Sequence, residues 1–480
     1  MKKRDWCYYI RFLRNQILIK QNFRKYVKEN IMDKITVDFS KKLGKVKPMH
    51  SVNNGPAYKF ASDQRITNID SYRAAGIPYA RTHDASFCSI YGGEHIVDVN
   101  LIFTDWSKDA TDPDSYDFVL TDEYMRVIEA GGAKAFYRLG AHIEHWAKKY
   151  NTLPPVDFHK WAVVCEHIIR HYTEGWANGY KMDIEYWEIW NEPDLDPDDS
   201  THKRCWGGTA KEFYELYCIA YKHLKSCFPH LKIGGPACAG MKLEWLDGFF
   251  NKLNENGIKP DFFSWHVYGA TVEKVQGRIR LARELLDKYG FTETESILNE
   301  WNYVRGWVND EWIYSLKSEK GLKGSAFISS VMCMAQYESL DNLMYYDARP
   351  CGMNGMFATD FVFECLKGYY PFYMFNQLYK QKQAVSVERE SEDVWAVAAK
   401  GEEQNVMLSY FNDDDAAPEK TVKVEFCNVE NASGVRLEYY CLDAEHDCEL
   451  VREEIFTATD FAAYVKMPLH STYLLKIVNL

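Results

Sequence analysis

Two glutamates close apolar runs in this chain. Glu192 ends Trp187-Glu188-Ile189-Trp190-Asn191-Glu192-Pro193, and Glu300 lies in Ile297-Leu298-Asn299-Glu300-Trp301-Asn302. A carboxylate placed just after an apolar strand is costly to keep dry unless chemistry or a partner requires it. Two such groups that meet can divide the work of breaking a glycosidic bond, one protonating the leaving oxygen and the other acting on the anomeric carbon. A separation near ~5 Å lets the second carboxylate attack directly and retains configuration, whereas wider spacing admits a water and inverts it.

For these side chains to meet, distant strands must deliver their carboxyl ends to one place. From about Val46 to Lys380 the chain alternates short β-type runs with amphipathic helices, the pattern of parallel βα units. Thr209-x-x-Glu212 reads as a capping box that starts one helix, with Phe213, Tyr217, Ala220 and Leu224 on one face. Eight strands are expected: Val46 to Asn53, Pro78 to Asp84, Lys134 to Gly140, Glu185 to Glu192, Leu231 to Pro236, Asp261 to Tyr268, Ser296 to Glu300 and Asn342 to Asp347. The fold class is therefore α/β, a (β/α)8 TIM barrel, whose reactive groups belong at the carboxyl ends of the strands. A doubly wound sheet is the alternative, but no Gly-rich phosphate fingerprint supports it.

After about Gln381 the helices stop and alternating strands follow: Asp393 to Ala399, Asn405 to Asn412, Thr421 to Phe426, Val435 to Cys441 and Thr472 to Val478. These predict a C-terminal β-sandwich over residues 381–480, joined from the other end of the chain by a strand within 32–45, with the catalytic barrel at 46–380. Residues 1–31 carry nine Lys/Arg against Asp5 and Glu29 and are read as a poorly ordered basic extension; Met32 is the natural beginning of the folded protein. No run there is long enough for a signal-peptide core or a membrane span.

The net charge of −12 argues against nucleic acid as a partner, because a phosphate backbone calls for a basic surface. Aromatic residues make up 15% of the chain, which suits stacking on sugar rings as well as core filling. The 13 cysteines show no CxxC pair and no zinc spacing, so they read as reduced thiols of a cytoplasmic protein. The acidic loop Asp194-Leu195-Asp196-Pro197-Asp198-Asp199 lacks EF-hand spacing and reads as solvated. No metal or other cofactor is called for. Oligomeric state is left open, a homo-oligomer included.

Trp-x-x-Trp-Asn191-Glu192-Pro193 resembles the acid/base signature of clan A glycoside hydrolases, and Glu300-Trp301-Asn302 resembles the nucleophile motif of the same clan. Gly234-Gly235-Pro236-Ala237, Ser264-Trp265-His266-Val267-Tyr268 and Tyr345-Tyr346-Asp347 look closest to family 39, which contains β-xylosidases and α-L-iduronidases. The resemblance implies Glu192 as general acid/base, Glu300 as nucleophile and Asn191 on the sugar 2-hydroxyl. His83, Asp84, His266, Tyr268, Trp301 and Tyr346 are the further candidates for substrate binding, the last aromatic pair as stacking platforms; Glu188 reads as structural. The family's Arg-x-His-Gly is here Arg81-Thr82-His83-Asp84, and Tyr137-Arg138-Leu139 replaces its Glu-Leu pair. The implied activity is a retaining exo-glycosidase on β-linked oligosaccharides or small glycosides, first of all a β-xylosidase. The same mechanism on glucose, galactose, arabinose or iduronate is an alternative, with Arg81, Arg138, Arg305 or Arg349 to meet a uronate. An inactive carbohydrate-binding barrel and a transglycosylase remain as rivals.

Overall fold

The structure, a computed structural model, describes residues 32–61, 64–84, 95–359, 362–430 and 433–480. The expected basic extension over residues 1–31 lies outside the described residues. The first strand, β1 (Asp33–Lys45), precedes β2 (Ser51–Asn53) and a short hairpin of β3 (Tyr58–Ala61) and β4 (Gln64–Thr67). Then come β5 (Tyr79–Thr82), β6 (Lys134–Leu139), β7 (Tyr186–Ile189), β8 (Lys232–Cys238), β9 (Phe262–Gly269), β10 (Glu295–Tyr303) and β11 (Asn342–Tyr345). Strand β2 and strands β5 to β11 close into a parallel barrel, so each of the eight expected runs contributes one strand.

The lower interior of the barrel is plugged by Phe136, Tyr186, Phe262, Ile297 and Met344. Above this apolar plug the inward groups turn polar, and they are buried with their partners. Helices cover the outside. The helix Ala210–Cys227 begins at Thr209, whose side chain and that of Glu212 form the reciprocal capping box, and it buries Phe213, Tyr217, Ala220 and Leu224.

The second sheet adds β12 (Gln383–Glu390), β13 (Val394–Lys400), β14 (Gln404–Tyr410), β15 (Lys420–Cys427), β16 (Val435–Leu442), β17 (Asp447–Phe456), β18 (Phe461–Met467) and β19 (Thr472–Asn479). It is nine-stranded and mostly antiparallel, in the order β17-β16-β19-β14-β13-β12-β1-β15-β18, and fits a β-sandwich. Strand β1 enters it between β12 and β15, antiparallel to the first and parallel to the second. Its buried face, Ile35, Val37 and Phe39, joins the core of that layer. Strands β12, β17 and β18 were not expected. Strand β17 carries Glu449, Arg452, Glu453 and Glu454 and is largely exposed, so no apolar alternation announces it; it and β18 are the two edges.

The two layers are joined at the helix Leu322–Ala335, which is buried on all sides. Ser409 donates to Ala326 O (3.1 Å), and Thr472 donates to Ser329 Oγ (3.0 Å). Beyond Glu300, the end of β10 is tied to the second sheet as well: the Tyr303 hydroxyl donates to Asp413 (2.6 Å), which also pairs with Lys323 at 3.0 Å. Among the described residues, no helix is long and apolar enough to cross a membrane.

Candidate active site

A cavity of about 560 Å³ opens at the carboxyl ends of the barrel strands. His83, Asn191, Glu192, His266, Tyr268, Glu300 and Tyr346, seven of the nine residues singled out from the sequence, line it. One carboxylate oxygen of Glu192 and one of Glu300 lie within 4.8 Å of each other and of a ring nitrogen of His266.

Local backbone geometry delivers Glu192. After Ile189 the chain leaves the strand, and Trp190 and Glu192 both take positive φ, 76° and 48°. Bulky L-residues adopt that region only when the surroundings hold them there. Trp190 N donates to Leu139 O (2.7 Å) and Glu192 N to Ala237 O (2.9 Å). Gly140 gives the turn its room, since a Cβ there would stand 2.9 Å from the Trp190 ring.

Glu300 is delivered by an irregularity. The pairing of β10 with β9 slips between Leu298 and Glu300, so that Glu300 faces His266 and Asn302 faces Tyr268. Asn299, on the inner side, donates to Glu188 (2.5 Å). Strict alternation from Ile297 and Asn299 would turn Trp301 inward; the slip sends Glu300 there instead. Trp301 is 0% exposed and packs its ring against Phe327 and Tyr345. The expected stacking role of Trp301 is therefore corrected: its indole is a core group. Asp84 also misses the cavity wall, held by Arg349 at 3.3 Å, with its amide donating to Asn54 Oδ1 (2.6 Å).

Arg81 organises the floor. Fully buried, it donates to Glu300 Oε1 (2.8 Å), Glu188 Oε2 (2.7 Å), Asn191 Oδ1 (2.7 Å) and Asn53 Oδ1 (3.0 Å). Occupying the Asn191 carbonyl leaves the amide nitrogen of that side chain as its donor toward a ligand. Glu188 accepts in addition from Ser264 (2.6 Å), in keeping with its structural reading. Glu300 receives the Tyr268 hydroxyl at 2.9 Å, and His83 Nε2 approaches it at 3.5 Å.

The electrostatics separate the two glutamates. Burial pushes the Glu192 carboxyl up to about 7, only partly offset by Arg81 and by the Cys205 thiol, which reaches its second oxygen at 3.7 Å. Burial raises Glu300 too, but Arg81 and the Tyr268 hydroxyl contact it directly and favour its charged form. Burial lowers His266 to about 4 and His83 well below its ordinary value, so both rings are neutral near neutral pH.

Three groups at the site escaped the sequence reading. Cys205 follows no motif. Trp307, 54% exposed, lines the cavity edge-on to Tyr268 with ring centroids 5.0 Å apart, yet it lies in a loop without periodicity. The cavity cations among the described residues are Arg204, Lys274 and Arg278. None of the four arginines proposed for a uronate reaches the wall: Arg81 and Arg138 are buried, Arg305 pairs with Asp413, and Arg349 pairs with Asp84 and Asp347. The acidic loop is not simply solvated either. Asp194 is buried and accepts from Ala239 N (2.7 Å), while Asp196 pairs with Arg204 at 2.7 Å. Elsewhere, His95, Asp98 and His142 bring ligand-type atoms within 4.8 Å, but Asp98 already pairs with Arg138 at 2.8 Å.

The family model for Glycosyl hydrolases family 39 matches residues 33–303. A β-xylosidase of Geobacillus stearothermophilus is 33% identical over 123 residues, 25% of this chain and 22% of that protein. A β-xylosidase of Caldicellulosiruptor saccharolyticus is 29% identical over 164 residues, 32% of this chain and 31% of that protein. The chain thus matches less than a third of the length of these relatives. In fold it is similar to a glucosidase from Croceicoccus marinus (TM-score 0.72, 20% identity, 94% of this chain and 100% of that one). It is similar likewise to a monomeric β-xylosidase from Caulobacter crescentus (TM-score 0.66, 15% identity, 93% and 99%).

Proposed function

This chain belongs to glycosyl hydrolases family 39, and from that premise we propose that it is a retaining exo-glycosidase acting on β-linked glycosides, first of all a β-xylosidase on xylo-oligosaccharides. The observation that carries the mechanism is the approach of the Glu192 and Glu300 oxygens to within 4.8 Å, the spacing of direct attack rather than of an interposed water. The two short matches to β-xylosidases favour the sugar. Eleven free cysteines among the described residues favour a cytoplasmic setting. The barrel of residues 46–380 carries the chemistry in this reading, with 381–480 and the strand within 32–45 as its accessory layer.

Glu300, whose charged form Arg81 and Tyr268 favour, attacks the anomeric carbon as an anion while Glu192 gives its proton to the departing oxygen. The resulting ester has no charge, so Glu192 no longer faces a neighbouring carboxylate and its pKa falls. It can then take a proton from water, which attacks the anomeric carbon, frees the Glu300 carboxylate and releases the sugar with retained configuration. Asn191 holds the sugar 2-hydroxyl through its amide nitrogen, and neutral His266, bonded to Glu192 at 2.8 Å, keeps that carboxyl in place.

The test is release of nitrophenol from a panel of α- and β-linked nitrophenyl pyranosides and furanosides by the wild type, Glu192→Ala and Glu300→Ala. Turnover of a β-xyloside, lost by at least about 10³-fold in Glu300→Ala and partly restored by azide as the inverted glycosyl azide, is the expected result. Glu192→Ala should spare activated leaving groups far more than alkyl ones. Activity in Glu300→Ala without azide, or an inverted product from the wild type, would sink the mechanism.

A further inference from the structure

The cavity contains two cations that no carboxylate among the described residues balances. Lys274 and Arg278 stand four residues apart on the helix Val272–Lys288, which starts just beyond the strand carrying His266 and Tyr268. Both line the cavity and both are exposed, unlike the buried Asn191 and Glu300 at its floor, so they form the mouth. Among the described residues no carboxylate pairs with either, whereas the third cavity cation, Arg204, is neutralised by Asp196. The contrast holds within the helix itself: Arg280 pairs with Glu338 at 2.6 Å and Arg283 with Asp287 at 2.9 Å, on faces turned away from the cavity.

Their placement is unfavourable for the free protein. Like charges at (i, i+4) repel, and a cation in the first turn opposes the helix dipole. Lys274 is nevertheless seated with care: its stem lies over Gly269, where a Cβ would come within 2.6 Å of the lysine Cδ. Burial and the neighbouring Arg278 both lower its pKa. In a cavity also lined by a solvent-facing aromatic surface, Trp307 backed by Trp312 with ring centroids 5.3 Å apart, two unbalanced cations suit a ring that carries a negative charge.

We infer that Lys274 and Arg278 form a subsite for an anionic group, a uronate carboxylate or a sulfate ester, on the part of the substrate that projects from the cavity beyond the cleaved bond. This rests on the glycosidase reading and deepens it: the protein prefers acidic, decorated oligosaccharides to neutral ones. The same charges explain how a cavity whose acids, among the described residues, are the two glutamates can draw in an anion, since the cations stand at the entrance.

The experiment is titration of Glu300→Gln, followed by tryptophan fluorescence, with xylotriose, glucuronosyl-substituted xylotriose and sulfated xylotriose. At low salt, one acidic ligand should bind at least about fivefold tighter than the neutral one, and which of the two does so identifies the anion. The ratio should collapse toward one in Lys274→Gln/Arg278→Gln and at high salt, and should persist in Lys274→Arg. Equal affinity of all three ligands for the parent, or an undiminished ratio in the double variant, would overturn the inference. Failure of the glycosidase reading looks different: it leaves the nitrophenyl panel silent while the acidic preference stays intact.

Discussion

His266 Nδ1 stands 2.8 Å from Glu192 Oε1 and 3.4 Å from Glu300 Oε2, so that one ring nitrogen touches both carboxyl groups. Because burial holds this imidazole neutral, it ties the pair together without adding a charge that would favour ionisation of both. The difference between the glutamates then comes from their other contacts. Arg81 donates to Glu300, while among the described residues Glu192 has only the weak thiol of Cys205 on its second oxygen.

This asymmetry sets the basic limb of the pH profile. Glu192 must enter the reaction protonated, so kcat/KM should fall as pH rises through about 7. The Cys205 thiol lowers that pKa by bonding to the carboxylate. Cys205→Ala should therefore move the limb to higher pH, by less than about one unit for so weak a donor, and Cys205→Ser, a stronger donor, should move it down. Profiles of the three proteins on one nitrophenyl glycoside check the sign; a limb that ignores both substitutions separates Cys205 from the acid.

Arg81 governs the acidic limb and the fold together. Arg81→Gln leaves Glu188 and Glu300 buried without their cation, which costs about 3–5 kcal/mol of stability. In whatever fraction folds, Glu300 takes up a proton more readily, so the limb that requires its anion shifts to higher pH. Thermal unfolding and a kcat/KM profile read the two effects separately, and an unshifted acidic limb would count against Glu300 as the ionised partner.

The two tryptophans should part company. Trp307→Ala removes a solvent-facing ring at the cavity and should raise KM by about three- to tenfold with little change in Tm. Trp301→Ala empties a core site and should cost about 3–5 kcal/mol. Michaelis constants and melting curves of both variants decide it; the reverse pattern would restore Trp301 as a platform.

Glu319 offers a test away from the site. Its side chain is buried, neither oxygen has a hydrogen-bond partner among the described residues, and burial pushes its pKa up to about 9. An acid whose folded pKa exceeds its unfolded value contributes stability below the unfolded pKa and loses it as pH rises through the folded one. The loss here spans pH 4.5 to about 9, at up to about 1.4 kcal/mol per pH unit. Glu319→Gln should thus raise Tm at pH 8 and much less at pH 5; an equal gain at both would refute the linkage.

The amino-acid sequence by itself determined the eight barrel strands, the capping box at Thr209 and the strand ends at which Glu192 and Glu300 stand. These are properties of local pattern: apolar runs, helical spacing and short motifs keep their meaning wherever the chain folds. Tertiary structure alone decided which groups surround them. The slip in pairing at Asn299 turned Trp301 outward, a choice that depends on the neighbouring strand and leaves no trace in composition. Arg81 became the hub of the floor because four acceptors from β2, β7, the loop after it and β10 converge on one guanidinium. Trp307, Lys274 and Arg278 reached the cavity, and Cys205 reached Glu192, from loops and a helix start, where no periodicity marks a side chain as facing a ligand. Strand β17 stayed invisible for a related reason: an exposed edge is held by backbone pairing with β16, and its charged side chains carry none of the burial pattern by which strands are read.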